Sequence, residues 1–410
     1  MAKSNTSDMS LASLPTVPLA AVPMAAVPMP AVPMLDLARQ YTPIREEVLA
    51  ALAEVLDQRQ FILGQPVAAF ERAAAEQLGV AEAIGCSSGT DALWLAMAAA
   101  EIGPGCAVVT SPFSFFASVS SIVRANATPL LSDIDPVTFN LDPAGVEKLL
   151  KTKQTVPIRA LLPVHLYGQC VEWNEFARLG KEYKLTLIED AAQAWGAQWQ
   201  GRSAGALGDI AAFSFYPTKN LSAAGDAGMV TTNNAELAER ARMLRQHGMR
   251  QRYHHDEVGW NARMDGFQGA VLSVNLRYVS ERNQQRRRAA ELYHELFESA
   301  GLAEAGVYPE HGVVLPQEAA GSRHIWHQYV IRTARRDELR DYLTAQQIGS
   351  EIYYPVSLHR QKALEYLGYG EGSFPEAERA AKEVLALPIF PEIRPDEQQR
   401  VVSAVAEFLS

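Results

Sequence analysis

From residue 83 to residue 231 the chain alternates short apolar runs with helix-length segments, and this alternation restricts its fold more than any other feature. Residues 83–86, 107–110, 129–132, 158–164, 185–188, 211–215 and 228–231 read as strands. Helices are expected over 90–100, from Ser114 and over 142–150, so strands and helices take turns in the way an α/β sheet requires. Upstream, Thr42-Pro43 starts a helix whose Ile44, Val48, Leu52 and Val55 share one face, and after Gly64 a second carries Val67, Phe70 and Ala74. Downstream come a helix over 235–246, a basic loop, and two long helices over 265–281 and 284–300. A strand at 327–331, a helix at 337–346, a strand at 351–354 and a helix at 376–385 then make a compact α+β unit. These shifts divide the chain into a tail (1–33), a large unit (34–283) and a small unit (284–410).

The tail repeats AVPM three times on an Ala and Pro background. Proline at that frequency forbids a helix, and neither a signal peptide nor a spanning helix tolerates such breaks. A disordered or polyproline-like extension is expected, its last unit packing where the folded part begins; an interaction tail is the alternative.

The chemistry concentrates between Leu187 and Gly228. The apolar run at 185–188 ends in Glu189-Asp190, which delivers an acid to the carboxyl edge of a sheet, where ligand sites of α/β proteins lie. The strand at 211–215 carries Ser214 and leads at once into Tyr216-Pro217-Thr218-Lys219. An aspartate holds a pyridine nitrogen protonated, a lysine forms an imine with an aldehyde, and a serine donates to a phosphate, so together they suggest pyridoxal phosphate. Ser88, Gly89 and Thr90 fall between a strand and a helix, where free N–H groups receive a phosphate; the same residue types also serve as plain caps. Phe115 is either core or a ring that stacks on a planar cofactor. Asp190 and Gln193 share a face if a helical turn begins there, and a capping role for Asp190 is the alternative.

Several classes are excluded. A net charge of −10 does not suit a nucleic-acid surface. Three cysteines without metal spacing fit a reducing cytoplasm, and His254-His255 have no third ligand at a useful spacing, so no metal is expected.

The motifs SSGTDAL, SPFSFFAS, PVHLYGQC, IEDAAQAWGA, GDIAAFSFYPTKNL, GWNARMDGFQGAVL, YYPVSLH and VLALPIFP follow one another in the order found in a known family. The chain resembles the DegT/DnrJ/EryC1/StrS sugar aminotransferases, and the resemblance covers nearly everything after Val32. It implies a fold-type I enzyme with a large, mostly parallel-sheet α/β/α domain and a smaller α+β domain. It further implies that Lys219 is the covalent partner of the cofactor and its proton shuttle, that Asp190 pairs with the pyridine nitrogen, and that Gln193 binds the phenolic oxygen. Phe115 falls at the family's stacking ring, and Ser88, Gly89, Thr90 and Ser214 at its phosphate site. Asn261 matches an asparagine reaching the phosphate from a neighbouring subunit, which implies a homodimer with shared sites. Arg263, Tyr353, Tyr354 and His359 would face the substrate.

The implied reaction is transamination of a keto-sugar nucleotide with glutamate as donor, leaning to 3-keto hexoses. A cyclitol aminotransferase and a non-catalytic regulatory protein are the alternatives. Trp195 stands where the family often has histidine, and bears on substrate shape.

Overall fold

A computed structural model describes residues 31–410. Seven strands form its central sheet: β1 (Glu82–Cys86), β2 (Ala107–Thr110), β3 (Thr128–Leu131), β4 (Ile158–Leu162), β5 (Thr186–Asp190), β6 (Ile210–Ser214) and β7 (Gly228–Thr232). Their order across the sheet is β1-β7-β6-β5-β4-β2-β3. All strands run parallel except β7, which pairs antiparallel with both β1 and β6. Helices cover both faces, and two buried clusters fill the layers between helices and sheet. The strands β2, β6 and β7 are apolar almost throughout, because each is buried on both faces.

The anticipated face of the first long helix forms: Ile44, Val48 and Val55 are buried and Leu52 is partly so. Ile44 and Val48 pack on Val271 and Val274 of the Gly266–Leu276 helix. The C-terminal unit is built on an antiparallel pair, β8 (Tyr329–Arg332) with β9 (Val384–Leu387), covered by the helices Arg336–Ala345 and Pro395–Leu409.

Sequence and structure part in four places. The helix expected from Ser114 begins at Ala117, because Ser111 to Ser114 form a side-chain-bonded turn in which the Ser111 hydroxyl accepts from Phe113 N–H. The break between the two long helices falls at Arg277-Tyr278, so Val279–Ser299 runs unbroken through the expected 283/284 boundary. Arg282 anchors that early start by bonding Asn275 Oδ1 and Gln40 O. No strand forms at 351–354; only Glu351 bridges Ala386, and the tyrosines turn toward the large unit instead. The helix expected to reach residue 385 stops at Glu383, and the chain passes directly into β9. Residues 1–30 of the expected tail lie outside the described residues, and Val32 of the last AVPM unit packs where the folded part begins, as expected. It is 1% exposed, receives an N–H from Gly349 at 2.8 Å and donates to Gln347 O at 3.2 Å. Among the described residues no helix is long and apolar enough to cross a membrane.

Glu189 and Asp190 occupy consecutive positions of β5, so their side chains leave on opposite faces. Glu189 is completely buried and fully bonded: it accepts from Gly205, Leu207 and Gly208 N–H groups at 2.7–2.8 Å and lies 2.9 Å from His165 Nε2. It therefore ties the loop before β6 to β5 and leaves Asp190 alone on the other side. Glu189→Ala strands the buried Gly205 and Leu207 N–H groups and the part-buried Gly208 N–H. The expected loss is about 3 kcal/mol, read as a lower denaturation midpoint in a urea titration, and a midpoint equal to wild type contradicts this role.

Candidate active site

The carboxyl ends of β1, β2, β4, β5 and β6, together with the start of β7, meet along one edge of the sheet. Ser214 and Cys86 both pair with Gly228, which brings the β1 turn and the β6 end to either side of a single residue. The approach is too close for side chains. A Cβ on Gly228 would lie 2.2 Å from Ser88 O, and one on Gly89 would lie 2.5 Å from Ser214 Cβ. Ser88 caps the Gly89–Ala99 helix by accepting from Asp91 N–H, while Thr90 sits half-buried in its first turn. Ser88, Gly89, Thr90 and Ser214 are thus gathered at one helix N-terminus, where N–H groups and the positive dipole end favour a phosphate.

Asp190 is buried at the end of β5. Its Oδ2 accepts from Ser118 at 2.7 Å, and its Oδ1 accepts from Ala192 N–H at 3.2 Å. Burial raises its pKa above the ordinary value, offset by the Ser118 and Ala192 hydrogen bonds and by the charge of Lys219. Compared with Glu189 it is under-satisfied, and a cationic ring N–H fits what it lacks. Lys219 lies in the turn after β6, held by its N–H to Tyr216 O at 2.8 Å. Its side chain is half-buried, yet protein surrounds its amine closely enough that desolvation lowers its pKa to about 8, against a raising contribution from Asp190. The neutral fraction near physiological pH is therefore far larger than for an ordinary lysine, and imine formation proceeds from the neutral amine.

Phe115 is 59% exposed, so the packing alternative fails: it is a large ring left open at the cleft, 6.3 Å from the Tyr354 ring. Gln193 faces the same space, with its Nε2 donating to the Tyr354 hydroxyl at 3.1 Å. The capping alternative for Asp190 fails as well, since no helix follows it. Cofactor chemistry fits these residues on three counts: a glycine-lined phosphate cradle, an under-satisfied buried carboxylate, and a desolvated lysine beside it.

The remaining residues divide. Asn261 is exposed and bridges Gln246; Arg263 bridges Cys86, and its Nε is buried without a hydrogen-bond partner among the described residues. Tyr353 and Tyr354 are half-buried at the cleft. His359 is not at the cleft surface: it is 2% exposed, its Nε2 lies 2.9 Å from Glu378 Oε1, and its ring packs edge-on against Phe374. Trp195 is also buried, between Phe213 and Phe215 and bonded to Gln77, so it shapes the core behind β6 and not the cleft.

Sequence reading missed the supports. Ser118 stands four residues after Ser114, whose hydroxyl is 2.8 Å away, a helical spacing that places both beneath Asp190. Asn220 follows Lys219 and joins a relay: Asn283 Nδ2 donates to Trp195 O, Asn220 Nδ2 donates to Asn283 Oδ1 and Ile325 O, and Asn220 Oδ1 accepts from His327 Nδ1 at 3.0 Å. Two backbone carbonyls fix the orientation of both amides, so the turn carrying Lys219 is rigidly held. No local pattern announces this relay, because its members lie up to about 130 residues apart.

The DegT/DnrJ/EryC1/StrS aminotransferase family profile matches residues 42–406. The chain is 46% identical to a "Pleiotropic regulatory protein" of Geobacillus stearothermophilus, over 92% of this chain and 98% of that protein. It is 40% identical to a UDP-N-acetyl-3-dehydro-alpha-D-glucosamine 3-aminotransferase of Acidithiobacillus ferrooxidans, over 92% and 97% of the two chains. Among solved structures, S. venezuelae DesV in complex with a ketimine intermediate is similar, with a TM-score of 0.87 and 40% identity, covering 93% of this chain and 99% of that one.

Because Asp190 raises the Lys219 pKa, removing its charge must lower it. In the cofactor-free protein the pH-dependent labelling of Lys219 by an amine reagent, followed by peptide mass spectrometry, should have its midpoint near 8. In Asp190→Asn the midpoint should move down, and a shift upward would contradict the arrangement.

Proposed function

The chain belongs to the DegT/DnrJ/EryC1/StrS aminotransferase family, and on that premise we propose that it transfers an amino group from glutamate to a keto-sugar nucleotide, using pyridoxal 5'-phosphate. The observation that carries this is the partly neutral, desolvated Lys219 amine beside the under-satisfied Asp190 carboxylate, at the end of a glycine-lined phosphate cradle. When bound, pyridoxal phosphate supplies an aldehyde that exchanges with amines and a ring that takes up the electrons of a broken C–H bond.

The residues divide the work. Ser88, Gly89, Thr90 and Ser214 hold the phosphate, with Asn261 reaching it from the neighbouring subunit of a homodimer. Exposure of Asn261 in the single chain supports that role. Phe115, exposed at the sheet edge, would pack against the ring, and Gln193 would donate to its phenolic oxygen. Asp190, kept in place by Ser118, retains a proton on the ring nitrogen. Lys219 would hold the cofactor covalently, and its amine would move the proton at the reacting carbon. Arg263, with its buried unpartnered Nε, and Tyr353 take the sugar nucleotide.

The 3-amino product class named for the Acidithiobacillus relative supports a ketone at C3. The regulatory name of the Geobacillus relative belongs to that protein; the presence of Lys219 in the turn after β6, at the same sheet edge as Asp190, supports catalysis here. The three cysteines, free among the described residues, support a cytoplasmic setting.

Reconstitution with pyridoxal phosphate should give a visible absorption band that is absent in Lys219→Ala. Glutamate should bleach it and a 3-keto-sugar nucleotide restore it. A band unchanged in Lys219→Ala defeats the assignment, and a protein that ignores uridine and thymidine diphosphates while accepting a keto-cyclitol defeats the sugar-nucleotide reading. Gly89→Ala should weaken cofactor binding at least about tenfold, since the new methyl overlaps Ser214; equilibrium titration by absorbance measures it.

A further inference from the structure

Gln193 is gripped from two sides. Its Oε1 accepts from Tyr167 N–H at 2.7 Å, and because a backbone N–H can only donate, this contact fixes which end of the amide is oxygen. Its Nε2 therefore donates, and one of the two protons goes to the Tyr354 hydroxyl at 3.1 Å. The second finds no protein acceptor among the described residues and is available to a ligand.

Tyr167 also grips the other partner. Its hydroxyl donates to Tyr353 O, so one residue holds Gln193 through its backbone and the Tyr353-Tyr354 segment through its side chain. The Tyr354 ring is further fixed by Phe113, edge-on at 6.1 Å, and lies 6.3 Å from Phe115. Burial foremost, and the Asp190 carboxylate after it, hold the Tyr354 phenol above its ordinary range against the lowering contribution of Gln193. It thus remains a neutral hydroxyl that accepts from Gln193. Tyr353 and Tyr354 precede the Leu358–Arg360 turn and pack against the core that contains β8 and β9, whereas Gln193 follows β5. The contact accordingly joins the C-terminal unit to the sheet edge.

We propose that Tyr354 is a positioning residue for the cofactor end of the site: by holding the Gln193 amide it directs that amide's second N–H, and it is not a contact to the sugar. This rests on the pyridoxal phosphate reading given above. It assigns to Tyr354 a different role from that of Tyr353, although the two are neighbours in sequence. It also makes the grip on the cofactor depend on docking of the C-terminal unit.

A double-mutant cycle separates the possibilities. Cofactor-free wild type, Tyr354→Phe, Gln193→Ala and the double variant are titrated with pyridoxal phosphate by visible absorbance, and kcat and KM for the sugar nucleotide are measured on the loaded proteins. Tyr354→Phe should weaken cofactor binding about 3-fold to 10-fold and leave KM for the sugar nucleotide unchanged. In the Gln193→Ala background the same substitution should have no further effect on cofactor binding, because its action passes through that amide. A raised KM with unaltered cofactor affinity, or an undiminished loss of affinity in the Gln193→Ala background, overturns the proposal. Should Tyr354→Phe fold poorly, Tyr167→Phe, which loses only the hydroxyl to Tyr353 O, should weaken cofactor binding in the same direction; unchanged binding there also overturns it. If wild type develops no visible band, the pyridoxal phosphate reading itself falls, whereas a normal wild-type band with a wild-type-like Tyr354→Phe titration rejects this inference alone.

Discussion

A buried carboxylate and a half-buried, desolvated amine of opposite charge share one sheet edge without neutralising each other by direct contact. Asp190 is held by Ser118 and Ala192, and Lys219 by its turn; neither hydrogen-bonds the other. Burial raises the first pKa and lowers the second, and the mutual attraction only partly offsets both effects. Such an arrangement costs stability, because buried charges are favourable only when paired and fully bonded. The structure tolerates it by over-determining the surroundings. Glu189 on the opposite face has every acceptor position used, and the Asn283–Asn220–His327 relay fixes the backbone that carries Lys219. A ligand with a cationic ring nitrogen and an aldehyde would satisfy both groups.

The antiparallel strand has a specific part in this. Unlike its neighbours β1 and β6, β7 does not bring its carboxyl end to this edge. Running the other way, it presents Gly228 there, and the absence of a side chain lets the β1 turn and the end of β6 close to contact distance. The group of small residues at the start of the Gly89–Ala99 helix is thus drawn together from the β1 turn, the end of β6 and the start of β7, none of which carries it alone.

Tertiary structure also decided between readings that residue types left equal. Phe115 and Phe113 are both apolar and two residues apart, yet one is open at the cleft and the other is core. His359 and Tyr354 come from the same short segment, but the histidine turns inward to Glu378 and the tyrosine reaches Gln193. The expected strand at 351–354 failed for the same reason: its tyrosines are engaged by the sheet-edge residues Tyr167 and Gln193, and only Glu351 remains to bridge β9.

The sequence by itself determined the alternation of strands and helices, the acid at the end of β5, and the lysine in the turn after β6. These follow from local hydrophobic period and turn chemistry, which need no distant partner. It also carried enough ordered motifs to indicate the family. The supports of the site were decided only by folding: Ser118 beneath Asp190, the Asn283–Asn220–His327 relay, and the clasp of Tyr167 on Gln193 and Tyr353. Each joins residues from separate elements through side-chain hydrogen bonds. Their polar residue types would be equally at home on a solvated surface, and only burial in a fixed geometry makes them specific.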